Sequence, residues 1–339
     1  MESATATERG GLVDSFGRRI TYVRLSVTDR CDLRCRYCMA ERMQFLPRRD
    51  VLSFEEIETL ADLFIARGVR RLRLTGGEPL VRRGVGELIG RLGARLGAGL
   101  DELTLTTNGT QLERFAPLLA AAGVRRVNVS LDSRDPERFR YITRRGDLGR
   151  VLTGLDAAAA AGLAVKINMV ALNGLNEDEI EAMLGWCAER GFDLTLIETM
   201  PLGEVEEDRT RHYLPLDRVR RRLEEHVLLI PSLRRTGGPA RYYEVGGTSI
   251  RLGLITPLTG NFCEGCNRIR VTATGQLYPC LGGTEQVDLR AALRSGDPDA
   301  ALVAALDEAM RIKPQRHSFA IDGPGGAPAL ARHMSATGG

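Results

Sequence analysis

Lysine is almost missing from this chain. Of its 47 basic residues only Lys166 and Lys313 are lysine, so 45 are arginine. Lysine offers a compact point charge and arginine a planar fork, so each lysine marks a position worth inspecting. Excess charge is scarce too, because 47 basic residues stand against 44 acidic ones for a formal net charge of +3. With aromatic residues at only 5%, this argues against nucleic acid as a partner, which needs a concentrated basic face and stacking rings. No apolar run reaches membrane-spanning length; the longest small-apolar stretch, AAAAAGLAV at 157–165, falls far short. The N-terminal MESATATERGGLVDSFGRR has no apolar segment of the kind a secretory signal requires. No membrane association is therefore expected, and the cytoplasm is the expected compartment. Disulfides rarely persist there, so clustered cysteines point to metal or redox chemistry.

The chain does have a rhythm. Hydrophobic residues at 43% and charged residues at 27% suit a globular protein with a substantial core. Short β-branched runs at 21–27, 69–75, 102–108, 124–132, 164–172 and 193–199 alternate with amphipathic patterns at 53–68, 84–97, 111–123, 151–162 and 176–191. Ser53 with Glu56 reads as a capping box. Gly68, Gly123, Gly162 and Gly191 stand where helices should end. Repeated strand–helix units mean parallel βαβ connections. The expected fold is α/β, an incomplete parallel (βα)6 barrel of TIM type, with an open doubly wound sheet as the alternative. In either, ligands gather at the C-terminal ends of the strands. A cysteine cluster, then TGGEP (75–79), TTNG (106–109) and NVSLD (128–132), all fall at such ends. After about Arg222 the rhythm breaks. Residues 230–283 are rich in glycine and proline with short strands such as RYYEV and SIRLGLI, helices return at 288–294 and 298–311, and DGPGGAPALARHMSATGG reads as loop. The expected organisation is a flexible 1–17, a barrel over 18–225 and a smaller C-terminal α+β module over 226–339.

Three of the seven cysteines, Cys31, Cys35 and Cys38, lie within CDLRCRYC. So tight a loop can aim three thiolates at one cubic 4Fe–4S cluster, leaving one iron open to a substrate or cofactor. Zinc is the alternative, but it takes four ligands. The four histidines are at 212, 226, 317 and 333, none near this loop. A second trio follows, Cys263 and Cys266 in CEGC and then Cys280. Its spacing also allows a zinc ribbon short of one ligand. Cys187, in MLGWCAERG, reads as a small buried hydrophobe.

CDLRCRYC followed by LTGGEP resembles the radical S-adenosylmethionine (SAM) superfamily. VRLSVTDRCDLRCRYCM, FCEGCNRIRVTATGQLYPCL and the terminal Gly-Gly resemble, within it, the GTP-cyclising family that opens molybdenum-cofactor biosynthesis. The resemblance runs from about Arg18 to Gly339. It implies two 4Fe–4S clusters, on Cys31, Cys35 and Cys38 and on Cys263, Cys266 and Cys280. It implies SAM on the open iron of the first, reductively cleaved to a 5′-deoxyadenosyl radical, and GTP on the second. The product implied is 3′,8-cyclo-7,8-dihydro-GTP. An external one-electron donor, hand-off to cyclic pyranopterin monophosphate synthase and a possible homodimer follow as partner expectations. The rivals are a peptide-modifying radical SAM enzyme with an auxiliary cluster and, outside enzymes, a zinc-stabilised nucleic-acid binder.

Residue by residue, the resemblance implies SAM contacts at Tyr37, Gly77, Ser130 and Met200. It implies GTP contacts at Arg24, Arg73, Thr106, Lys166, Arg268 and Arg270. An arginine inside an apolar strand needs an anionic partner, and Arg268 and Arg270 share one strand face by their period of two. Lys166 sits mid-strand between Val165 and Ile167. Gly338 and Gly339 would reach into the active site and support turnover, glycine fitting a narrow channel because it has no side chain. One departure stands out. The family commonly carries an arginine five residues before the position of Met200, and this chain has Thr195 there.

Overall fold

The computed structural model describes residues 10–203, 209–234, 236–260, 262–317, 319, 330 and 332–338. Strands and helices alternate along the first two thirds: β1 (Tyr22–Ser26), α1 (Phe54–Ala66), β2 (Arg71–Thr75), α2 (Val85–Gly93), β3 (Glu102–Thr107), α3 (Leu112–Ala121), β4 (Arg126–Ser130), α4 (Pro136–Thr143), α5 (Leu148–Ala160), β5 (Ala164–Ala171), α6 (Ile180–Arg190), β6 (Asp193–Glu198) and α7 (Leu216–Glu224). Then come β7 (Leu229–Ser232), β8 (Arg241–Val245), β9 (Arg251–Ile255), β10 (Arg268–Val271), β11 (Gln276–Tyr278), β12 (Val287–Asp288), α8 (Leu289–Leu293), α9 (Pro298–Arg311) and α10 (Met334–Thr337).

Strands β1 to β6 pair in parallel and in sequence order, as the repeated rhythm predicts. The α/β fold is thus an incomplete (βα)6 barrel, and its sheet is open rather than closed. The later strands extend that same sheet at both edges, in the order β12-β11-β10-β1-β2-β3-β4-β5-β6-β9-β8-β7. β10 joins β1 in parallel and β9 joins β6 in parallel, while the outer strands turn antiparallel. Residues far apart in the chain, near 24 and 270, become neighbours in the sheet.

Local chemistry explains the elements. Ser53 Oγ accepts from the Glu56 N–H (3.1 Å) and the Glu56 carboxylate accepts from the Ser53 N–H (2.7 Å), so the capping box closes in both directions. Gly68, Gly123, Gly162 and Gly191 all have positive φ at helix ends. Helix α4, which the rhythm did not suggest, starts on Asp135 as N-cap with Pro136 in its first turn. The closing segment, expected as loop, contains the one-turn α10 among its described residues. Apolar faces of the helices pack on the parallel strands, with Phe64, Leu72, Val127, Val129, Ile167, Leu194 and Leu196 in the common core. Cys187 is buried there on α6, as read from its sequence context. No helix of the described residues is long and apolar enough to cross a membrane.

Helix α5 approaches the turn before α3 so closely that a Cβ on Gly154 would lie 2.6 Å from the Gly109 carbonyl oxygen and 3.0 Å from Leu112 Cβ. Gly154→Val should therefore destabilise the fold by about 1–3 kcal/mol through overpacking. Thermal unfolding checks this; an unchanged midpoint would show that the helix pair yields without cost.

Candidate active site

A cavity of about 270 Å³ opens at the C-terminal ends of the barrel strands. All six cysteines of the two trios line it, together with Arg24, Tyr37, Arg73, Gly77, Thr106, Ser130, Lys166, Met200, Arg268 and Arg270. The structure thus brings together every residue that the sequence singled out for SAM, GTP and cluster contacts. Of the Gly-Gly tail, Gly338 touches Arg270 and Thr75, which line the cavity, and Gly339 lies outside the described residues.

The loop after β1 is held by the loop after β2. The Gly77 N–H donates to the Thr28 carbonyl (2.8 Å) and the Glu78 N–H to the Arg30 carbonyl (2.8 Å). A Cβ at Gly76 would lie 2.5 Å from the Thr28 oxygen, and one at Gly77 would collide with the Arg30 carbonyl. The glycines of TGGEP are therefore required by backbone packing, while Gly77 also faces the cavity. Glu78 is fully buried and accepts from the Leu80 N–H, the Thr107 hydroxyl (2.8 Å) and the Asn108 N–H (2.6 Å), tying the ends of β2 and β3 together. Burial pushes its carboxyl up to about 7. Asp32, inside the cysteine loop, accepts from Asn108 Nδ2 (2.7 Å) and the Thr110 hydroxyl (2.6 Å). The Tyr37 hydroxyl donates to Asp132 Oδ2 (2.6 Å), and Asp132 Oδ1 accepts from the Val170 N–H (2.9 Å). Burial pushes Asp132 up to about 6. Glu78, Asp32 and Asp132 carry no role in the sequence analysis, although all three stand inside motifs singled out there.

The two trios sit in different electrostatic surroundings. Burial, then the nearby Glu78, pushes the Cys31 thiol up to about 12; burial and Asp132 push Cys35 well above its ordinary value. Such thiols stay protonated alone and become ligands once a cationic iron is present. At the second trio burial also raises Cys280. At Cys266 burial acts the same way, but Arg268 and Lys313 outweigh it and hold the thiol below its usual value. Three thiols facing a shared cavity from each loop is the donor set that a 4Fe–4S cube with one open iron takes. Cys31, Cys35 and Cys38 would hold one such cube, and Cys263, Cys266 and Cys280 the other.

The cations form a row. In the sheet register Arg24 of β1 is the partner of Arg73 of β2 on one side and of Arg270 of β10 on the other. Arg24 and Arg73 are buried, and the Nε of each has no hydrogen-bond partner. Burial lowers Arg24 to about 9, with Arg73 adding to it. Burial, then Arg24 and Arg268, depresses Arg270 well below the usual arginine range. Lys166, buried on β5, is likewise depressed by burial and by Arg73 and Arg126, and its Nζ donates to the Tyr242 hydroxyl (3.3 Å). Arg268 lies 5.4 Å over the Phe262 ring. The Thr106 hydroxyl is buried without a partner. Thr195, by contrast, is wholly buried in β6 beside Asn168 and Gly253. A Cβ on Gly253 would lie 2.9 Å from its hydroxyl oxygen, so the place is close-packed.

The tail reaches this row. The Arg270 guanidinium donates to the carbonyls of Thr337 (3.2 Å) and Gly338. Gly338 has φ +73° and a Cβ there would collide with Thr75, so position 338 accepts glycine alone. His317 and Phe319, which the sequence did not mark, line the cavity near Phe262, with the two rings 4.8 Å apart.

Comparison with known proteins agrees with this geometry. Residues 25–187 match the model of the Radical SAM superfamily, and residues 192–319 match that of Molybdenum Cofactor Synthesis C. The chain is 64% identical over 328 residues to the GTP 3′,8-cyclase of Erythrobacter litoralis, covering 97% of this chain and 98% of the relative. It is 61% identical over 334 residues to that of Rhizobium meliloti, covering 98% and 96%. Among solved structures, Streptococcus suis SuiB bound to S-adenosylmethionine aligns with TM-score 0.61 at 16% identity, over 86% of this chain and 68% of that one. Native anSMEcpe with bound AdoMet aligns with TM-score 0.56 at 15% identity, over 84% and 83%. These two share the fold. Two thiol trios, a row of buried cations and near full-length identity to named relatives converge: the chain belongs to the GTP 3′,8-cyclase family of the radical SAM superfamily.

Proposed function

We propose that this chain converts GTP into (8S)-3′,8-cyclo-7,8-dihydroguanosine 5′-triphosphate, the first step of molybdenum-cofactor biosynthesis. The observation that carries the substrate is the cation row in the same cavity as both thiol trios. Buried cations need anionic partners, and a triphosphate supplies several oxygens of matching geometry. When bound, the first cluster and SAM supply one-electron hydrogen abstraction, the chemistry that breaks a ribose C–H bond.

The protein's own part is position and charge. Arg24, Arg73, Arg270 and Lys166 would seat the phosphates, with Thr106 and Arg268 completing the nucleotide contacts. Tyr37, fixed by Asp132, would orient SAM with Gly77, Ser130 and Met200. Gly338, whose carbonyl accepts from Arg270, would shield the cation row from water. Delivery of the electron by an external donor and hand-off to cyclic pyranopterin monophosphate synthase belong to this reading. Near full-length identity to GTP 3′,8-cyclases favours it over peptide modification.

The test is direct. Anaerobically reconstituted protein with SAM, reductant and GTP should form 5′-deoxyadenosine only when GTP is present, with a product convertible to a pterin. GTP-independent turnover without that product would reject the assignment. Replacing Cys31, Cys35 and Cys38 by alanine should cut iron from about eight to about four per chain and abolish SAM cleavage; eight irons retained would exclude these ligands. Lys166→Ala should raise the Kd for GTP by about 10- to 100-fold, the worth of one charged hydrogen bond, and leave SAM binding unchanged. Gly338→Val should leave GTP affinity within a few fold while kcat collapses; normal kcat would show that the tail is dispensable.

A further inference from the structure

Lys313 is one of the chain's two lysines, and the reaction scheme above does not use it. It follows α9 and is almost wholly buried. Its Nζ donates to the Arg268 carbonyl (3.1 Å) and the Pro279 carbonyl, and lies 3.7 Å from Cys266 Sγ. Arg268 lies two residues beyond Cys266, and Pro279 directly precedes Cys280. One ammonium thus fastens both arms of the second trio. The neighbouring Arg18 makes a useful contrast. It also caps carbonyls here, those of Cys263 and Pro314, but it is charge-paired with Asp14 (2.6 Å). The partners that Lys313 shows are two neutral carbonyls and a sulfur. A buried ammonium without a carboxylate is costly unless an anion faces it. The anion within reach is the thiolate of Cys266 and whatever metal group that thiolate holds.

We infer that Lys313 is a positioning residue for the C-terminal cluster, fixing the Cys266 sulfur and setting the cluster's reduction potential through a buried positive charge. Hydrogen bonds to ligand sulfurs and local charge are general determinants of iron–sulfur potentials and of metal retention. Positive charge favours the more negative, reduced cluster, so its removal moves the potential negative. A compact point charge is what lysine supplies in a chain that otherwise writes arginine. The inference rests on the reading of Cys263, Cys266 and Cys280 as cluster ligands and is independent of which substrate binds.

The experiment uses the full-length chain with Cys31, Cys35 and Cys38 replaced by alanine, so that the C-terminal cluster alone is observed. Reconstituted samples carrying Lys313, Lys313→Met or Lys313→Arg are titrated with reductant and followed by electron paramagnetic resonance. The methionine variant should show a more negative midpoint and faster iron loss to a chelator, and arginine should restore most of both. Equal midpoints for lysine and methionine would overturn the inference. So would an arginine variant shifted as far as methionine, because packing rather than charge would then be the contribution. If the methionine variant assembles no cluster, iron is counted in the chain with all cysteines intact. About four irons with methionine and about eight with arginine support the inference; equal loss in both, or loss of the first cluster as well, refutes it. A three-alanine background holding no iron would instead refute the ligand assignment beneath it.

Discussion

Three arginines stand abreast on adjacent parallel strands, and the charges pressing on Arg24 and Arg270 are chiefly those of other arginines. This arrangement is unfavourable in the protein alone. Burial strips water from each guanidinium, and like charges a strand apart repel. Folding can carry such a cost when the rest of the core is large and when a bound anion repays it. The cavity therefore presents a buried, positively charged wall. Because the row spans β10, β1 and β2, it exists only once the C-terminal strands have joined the barrel edge. The cation row and the second trio therefore depend on the same strand pairing, since Arg268 and Arg270 follow Cys266 on a single short segment.

The other end of the cavity is arranged by carboxylates. Glu78 gathers the ends of β2 and β3, Asp32 holds Asn108 and Thr110, and Asp132 grips Tyr37. Each is spent on orientation, leaving the thiols and the aromatic ring in fixed places before any ligand arrives. The result is a graded site. At Cys31 and Cys35 burial comes first and the nearby charges of Glu78 and Asp132 add to it, so both thiols are raised. Around Cys266 the nearby charges are positive and lower it. The two loops are thus chemically distinct ends of one cavity.

Much of this was legible in the sequence because the signals are local. The (βα)6 rhythm, the Ser53–Glu56 capping box and the cysteine spacings each depend on a few neighbouring residues, and each appears in the structure. The cation row was half legible. Period two put Arg268 and Arg270 on one face, but their alignment with Arg24 comes from a pairing across more than 240 residues that no local pattern encodes. The C-terminal region read as a separate rhythm, whereas β9 and β10 extend the barrel sheet itself. Glu78, Asp32 and Asp132 went unassigned because a carboxylate that orders a loop looks, in sequence, like one in solvent. Thr195, the departure from the family pattern, is wholly buried against Gly253 and is not among the residues that line the cavity.

Ligands that differ only in phosphate show whether the buried cations hold a triphosphate. Equilibrium binding of GTP, GMP and guanosine to the anaerobic, cluster-loaded protein would be measured at fixed ionic strength. If the buried cations are a triphosphate seat, guanosine binds at least about 100-fold more weakly than GTP, with GMP between them. Equal affinity for GTP and guanosine would mean that the cation row does not seat the triphosphate.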